Sequence, residues 1–273
     1  MDHDANERAG SNRMTRPHYT TAMTYNIWGA HAWPARQPAM RAFLESRPAD
    51  VLGIQELRED TQSLIDEVLS DHDRVHDDFP GWTTEGNIWW NRHAYTLVEH
   101  GAEDIGIKEE FRRLFWVRLA STADPSVHLV FANAHFTWVG HPHEARDHIN
   151  PRIQQAHNAV AVLDRLAADD PCVFVGDFND YGHPRSILFK AGFGEGFSSL
   201  GRMSPITHPV DPTARPDRGY PKHMPAQKPL DWQFHRGAIA PVSSEVVDFR
   251  HEGMAPSDHY PVLTTYAFGL ARS

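Results

Sequence analysis

One cysteine stands in 273 residues, and that scarcity excludes two chemistries. No intramolecular disulfide can form, and no thiolate cluster can hold zinc. Cys172 lies in the apolar run Cys172-Val173-Phe174-Val175, which suits a buried small hydrophobe better than a nucleophile. Long hydrophobic runs are missing as well: no stretch approaches the ~18 apolar residues of a membrane-spanning helix. Met1 to His18 is polar and charge-balanced, without the apolar core of a signal peptide, so it reads as a flexible tail of a cytoplasmic protein. An excess of positive charge is also absent. The formal charge of −10 argues against a surface built to hold polyphosphate nonspecifically. No nucleophile elbow and no P-loop occur, which disfavours covalent catalysis by serine and the phosphate-cradling glycine loop. No repeat is visible and no linker divides residues 19–273, so they read as a single domain.

What is present is an ordinary globular composition, 40% hydrophobic and 23% charged. The apolar patterning predicts strands over 21–27, 51–54, 86–90, 95–100, 114–119, 128–135, 172–175, 230–235, 242–249 and 259–268. It predicts helices from Pro38 to Arg47, from Asp60 to Ser70 with Asp60 as cap, and from Asn150-Pro151 to Pro171. In the last of these, Ile149, Ile153, Ala156, Val160, Leu163 and Leu166 form one amphipathic stripe. Residues 202–228 carry Pro, Arg, Lys and His without periodicity, a long loop holding five Lys/Arg against two acids. Strands in two groups, each with helices, fit two packed sheets flanked by helices, an α/β sandwich.

The chemistry lies where polar groups end apolar runs. Asn26 ends Met23-Thr24-Tyr25-Asn26, Glu56 ends Val51-Leu52-Gly53-Ile54-Gln55-Glu56, and His135 ends the run from Leu129. Asp177 and Asn179 end Val173-Phe174-Val175-Gly176-Asp177-Phe178-Asn179. Polar groups at strand ends converge at one rim of a sheet. Oxygen ligands of this kind suit hard cations, Mg²⁺ in particular. Such a set, with water activated by histidine, can stabilise charge on a phosphate ester.

Asn26, Gln55-Glu56, Asn133-x-His135, Gly176-Asp177-Phe178-Asn179, Leu230-Asp231-Trp232 and Ser257-Asp258-His259 come in this order over residues 20–268. Together they resemble the successive motifs of the endonuclease/exonuclease/phosphatase superfamily, the fold of pancreatic deoxyribonuclease. The resemblance implies a four-layered α/β sandwich with two mainly antiparallel sheets. It implies that Glu56 is the principal metal ligand, with Asn26 as ligand or orienter of bound water and Asp258 completing the site. Mg²⁺ is the implied cofactor, with Mn²⁺ as substitute. His259 is similar to the water-activating base, with Asp231 fixing its tautomer. Asp177 and Asn179 would orient the nucleophile and bind the scissile phosphate, and His135 would face the phosphate, paired with Glu85. Arg112 or Arg113 is a weaker candidate for phosphate contact.

The implied activity is metal-dependent hydrolysis of a phosphodiester, with a phosphomonoesterase as alternative and a non-catalytic binding module as the third reading. The implied partner is a phosphate-ester substrate, nucleic acid among the candidates, with no protein partner. Departures narrow this a little. Leu57-Arg58 lacks the lysine usual in abasic-site repair members, and Asp180 replaces the arginine or tyrosine usual in inositol phosphatases. Trp138, just beyond His135, is a candidate for lining the substrate cleft. Arg215, Arg218 and Lys222 are candidates for contacting an anionic substrate. His141, His143 and His148 read as surface histidines rather than a metal cluster.

Overall fold

The structure is a computed structural model in which residues 18–213 and 226–268 are described. The expected tail up to residue 17 and the loop cations Arg215, Arg218 and Lys222 lie outside the described residues.

Four strands open the fold: β1 (His18–Asn26), β2 (Val51–Gln55), β3 (His72–Arg74) and β4 (Gly86–Asn91). Six more build a second sheet: β5 (Tyr95–Glu103), β6 (Leu114–Ser121), β7 (His128–His135), β8 (Cys172–Asp177), β9 (Gly194–Glu195) and β10 (Asp231–Arg236). The chain then returns to the first sheet with β11 (Ile239–Val246) and β12 (Val262–Phe268). The strand orders are β11-β12-β1-β2-β4-β3 and β5-β6-β7-β8-β10-β9. Each sheet is mixed, with one parallel pair, β1 with β2 and β7 with β8, and antiparallel pairs elsewhere. The expected four-layered sandwich is the observed one.

Three apolar layers hold it together. Helices α1 (Trp33–Ser46) and α2 (Glu59–Val68) press Met40, Phe43, Leu64 and Ile65 onto the outer face of the first sheet. A short helix, α3 (Gly81–Thr84), precedes β4. Between the sheets, Ile88, Trp90, Phe131, Val173, Val175 and Tyr266 interdigitate. On the far side, α5 (Pro151–Ala167) and α6 (His183–Lys190), which follow the surface helix α4 (Pro142–Asp147), cover the second sheet through Ala156, Leu163 and Leu188. No helix among the described residues is long and apolar enough to cross a membrane.

The sheets also share a polar bridge close to the rim where the site forms, in which only Gln55 Oε1 lacks a partner among the described residues. Gln55 Nε2 donates to Thr24 Oγ1 (3.0 Å) and to Asn133 Oδ1 (2.7 Å), while Asn133 Nδ2 donates to Ile54 O (2.8 Å). Gly53 makes that approach possible, since a Cβ there would stand 2.6 Å from the Val175 side chain. Gly176 is required more strictly. It has φ +151°, and a Cβ would fall 1.8 Å from Ala134 O on the paired strand. Any other residue would push β8 off β7 one position before Asp177.

Several element bounds differ from the sequence expectation. β1 begins at His18, which stacks on Phe268 at 5.4 Å between ring centroids and is therefore not part of a tail. Helix α1 starts at Trp33, because burying Trp33 and Arg36 outweighs the one hydrogen bond lost at the internal Pro38. The first turn of α2 is closed by Arg58 N donating to Thr61 Oγ1 (2.9 Å), so Arg58 and not Asp60 takes the cap position. Ser257-Asp258-His259 precedes β12 rather than opening it, which frees all three side chains for the rim.

Candidate active site

Strand register lines up the site. Asn26 pairs with Gln55 at the ends of β1 and β2, and Glu56 follows directly. In the second sheet His135, Asp177 and Asp231 occupy one row, since Asp177 pairs with His135 on one side and with Asp231 on the other. The sheets meet through Asn26. Its Nδ2 donates to Glu56 Oε1 (3.1 Å) and to Asp177 Oδ2 (3.0 Å).

Asp177, wholly buried, is the hub. Oδ2 lies 3.4 Å from His135 Nε2 and 3.7 Å from His259 Nε2, and Oδ1 accepts from Asn179 N (2.8 Å). His259 Nδ1 bonds Asp231 Oδ2 at 2.8 Å. A carboxylate in its ionised form only accepts, so Nδ1 carries a proton toward Asp231, and Nε2 faces Asp177. The 257–259 loop is pinned by Ser257 Oγ, which donates to Asn26 O (2.8 Å) and accepts from His259 N (3.2 Å).

The electrostatics follow from four acids crowded at a dry rim. Burial pushes the Asp177 carboxyl up to about 7, against the opposing charge of His259. It pushes Asp258 up to about 6, with His259 opposing and Glu56 adding to the rise. Burial alone would strip His259 of its proton. The charge and hydrogen bond of Asp231, helped by Asp177 and Asp258, instead hold the ring up at about 10. His135 goes the other way. Burial first, then the charges of Arg112 and His259, pull it well below the usual histidine range, so its ring is neutral at pH 7.

Two expected roles change. Glu85 does not pair with His135. It accepts from Arg112 Nε at 2.7 Å and faces Arg58 at 3.8 Å, because a carboxylate gains more from two guanidinium groups than from a neutral imidazole. Arg112 Nη1, 3.6 Å from Glu109, has no hydrogen-bond partner among the described residues, and Arg113 gives one donor to Arg112 O. His135 Nδ1 has no hydrogen-bond partner among the described residues. Asn26 is foremost an orienter, since its Oδ1 accepts from Trp28 N (3.0 Å) while its nitrogen bridges two carboxylates. Asn179 donates to Phe136 O (2.9 Å), which leaves one side-chain N–H for a phosphate oxygen. His141 and His143 stack at 5.3 Å on the exposed α4 segment, away from any grouping of potential metal ligands among the described residues.

Two residues escape a reading of the sequence. His208 stacks on His259 at 4.3 Å between centroids and stands 4.0 Å from Asp258 Oδ2. Its segment has no periodicity, so nothing local marks it. Arg36 is 0% exposed and donates to the carbonyls of Ile27, Trp28, Gly29, His31 and Pro256. It ties the loop after Asn26 to the loop before Ser257. A lone arginine on a helix gives no sign of this.

The profile of the Endonuclease/Exonuclease/phosphatase family matches residues 23–259, a span that holds every residue of the rim. The chain belongs to the endonuclease/exonuclease/phosphatase family. Solved structures agree on the fold. A family protein from Bacteroides thetaiotaomicron superposes with a TM-score of 0.74 at 18% identity, covering 94% of this chain and all of that one. A mannosyl-6-phosphatase from the same organism gives 0.71 at 17% identity over 91% of this chain and all of that one. D. rerio TDP2 complexed with a single-strand DNA product gives 0.71 at 15%, covering 91% and 98%. A search of curated proteins returned no match.

The donor set of this family member fits a hard divalent cation. The carboxylates of Glu56 and Asp258 are oxygen donors, and the accumulated negative charge adds to the burial that lifts Asp177 and Asp258. A cation must displace the proton that Asp258 holds below about pH 6. Mg²⁺ affinity should therefore weaken by roughly tenfold from pH 8 to pH 5. Calorimetric titration at the two pH values checks this, and equal affinity would place the cation away from Asp258.

Proposed function

We propose that the protein hydrolyses a phosphodiester by direct attack of activated water, assisted by Mg²⁺, with Mn²⁺ as a substitute. The observation that carries this reading is the His259–Asp231 pair set against Asp177, with Asn26 joining Asp177 to Glu56. Glu56 and Asp258 would hold the cation, with Asn26 orienting its surroundings. When bound, it supplies charge for the non-bridging oxygens and lowers the pKa of water.

The chain's own groups do the rest. With Nδ1–H committed to Asp231, His259 Nε2 takes the proton of the attacking water in the form of the ring that has lost its second proton. The surrounding acids make that the minor form below about pH 10. The field of Asp231, Asp177 and Asp258 stabilises the imidazolium that results. Asp177, which holds both Asn26 and Asn179, fixes the geometry of the attack. Neutral His135 presents Nε2 beside Asp177 as a hydrogen-bond donor toward the phosphate. A diester suits this site better than a monoester. Four acids already crowd the rim, and a monoester dianion adds one more negative charge than a diester does.

Turnover of bis(p-nitrophenyl) phosphate against p-nitrophenyl phosphate tests the proposal. With Mg²⁺ the diester should be hydrolysed at least about tenfold faster, and EDTA should abolish the reaction. Faster monoester hydrolysis would make the protein a phosphomonoesterase. Hydrolysis of neither, extended to DNA, RNA and phospholipids, would leave a binding module.

A further inference from the structure

A cavity of about 530 Å³ opens beside the rim, bounded by Asn179 and by His208, the ring that stacks on His259. Trp138, Val139, Tyr181 and Leu230 also line it, with Lys228. Cavities of roughly 300–1,000 Å³ with apolar walls and few polar groups are the usual form of small-molecule sites. Two of the walls are large aromatics left 45% and 60% exposed, Trp138 and Tyr181. Faces of that size forgo burial in the folded chain, and a ligand lying on them restores it.

Of the polar side chains that line the cavity, Asp180 is engaged on both oxygens, while Asn179 keeps one N–H and His183, His208 and Lys228 complete the polar lining. Asp180 Oδ1 accepts from Gly182 N (2.7 Å) and His183 N (3.0 Å), and Oδ2 from Asn150 Nδ2 (2.9 Å). These bonds set the turn that carries Tyr181. Trp232 Nε1, donating to Asp180 O at 3.1 Å, secures the same turn from β10. Asn179 gives one N–H to Phe136 O. A flat π face would find two aromatic walls, Trp138 and Tyr181, the second with Lys228 Nζ over its ring at 5.2 Å from the centroid. The −10 charge of the chain disfavours a long polyanion and leaves a small ester as the better occupant.

We propose that this cavity binds a planar aromatic substituent of nucleoside size carried on the phosphate, between Trp138 and Tyr181. It rests on the phosphodiesterase reading for the position of the phosphate, and names the class of ester that the same site selects.

The test is calorimetric binding in the presence of Mg²⁺ of four phosphate probes: adenosine 5′-monophosphate, glucose 6-phosphate, octyl phosphate and inorganic phosphate. The nucleotide should bind at least roughly tenfold more tightly than each of the others, and Trp138→Ala or Tyr181→Ala should each remove most of that margin. Both side chains are partly exposed, so the variants should fold, and their thermal midpoints verify it. Equal binding of the four probes, tighter sugar or alkyl phosphate, or a margin unmoved in both folded variants overturns the proposal. Binding does not depend on turnover. A selective nucleotide site in a protein that hydrolyses no ester would reject the phosphodiesterase and keep the cavity. Hydrolysis with no nucleotide margin would do the reverse.

Discussion

Asp231→Asn should lower kcat by roughly 10³–10⁴ while changing KM less than tenfold. The reason lies in one hydrogen bond. Asp231 Oδ2 accepts from His259 Nδ1 at 2.8 Å and is the foremost group holding the ring's basicity up. An amide can turn its N–H toward Nδ1 and leave the proton on Nε2, the wrong tautomer for a base. It also withdraws the negative charge that stabilises the imidazolium once water has been deprotonated. The size of Asn matches Asp, so the fold should survive, and Mg²⁺ should still raise the thermal midpoint. Activity within tenfold of the wild type would mean that His259 is not the base. Steady-state kinetics on bis(p-nitrophenyl) phosphate decides between the outcomes.

Arg36→Met should cost about 3–5 kcal/mol in denaturant unfolding. The guanidinium is buried and its donors go to five backbone carbonyls, with the Trp28 and Trp33 rings 5.0 and 5.5 Å from it. Methionine fills much of the volume but removes the donors to all five carbonyls, of which Trp28 O alone keeps a second partner among the described residues, His31 N at 3.2 Å. Arg36→Lys should recover little, because one ammonium cannot reach in the directions that the planar fork serves. Among the carbonyls is Pro256 O, so the loss should also loosen the 257–259 loop and weaken Mg²⁺ binding. A loss below about 1 kcal/mol would show that water can replace the guanidinium.

Much of the site is legible in the sequence because its groups sit where apolar runs stop. Asp177 follows Gly176, and Asn26, His135 and Glu56 stand at or just past the ends of β1, β7 and β2. Parallel pairing of β1 with β2 and of β7 with β8 then brings the ends to one rim, since parallel strands finish on the same side. The partner of Glu85 is not legible, for a plain reason. Its choice between His135 and Arg112 depends on which side chain the end of β4 faces, and spacing along the chain does not carry that.

Residue order alone settles the two groups of strands, the existence of α5, and the identity of the carboxylates, amides and histidines that end their apolar runs. These are local properties: periodicity and polar residues at strand ends. The buried face of α5 takes Ala156, Leu163 and Leu166 of the expected stripe but leaves Ile149 and Ile153 exposed. Folding in three dimensions adds what no local pattern holds. It makes Asn26 bridge Glu56 and Asp177, stacks His208 on His259, and sets Arg36 to lash two loops together. Each of those contacts joins segments at least 30 residues apart. In each case burial turns a polar side chain toward the partner that the packed sheets happen to offer. A chain records which groups it carries; which of them share a dry pocket is fixed by the packing of two sheets against each other.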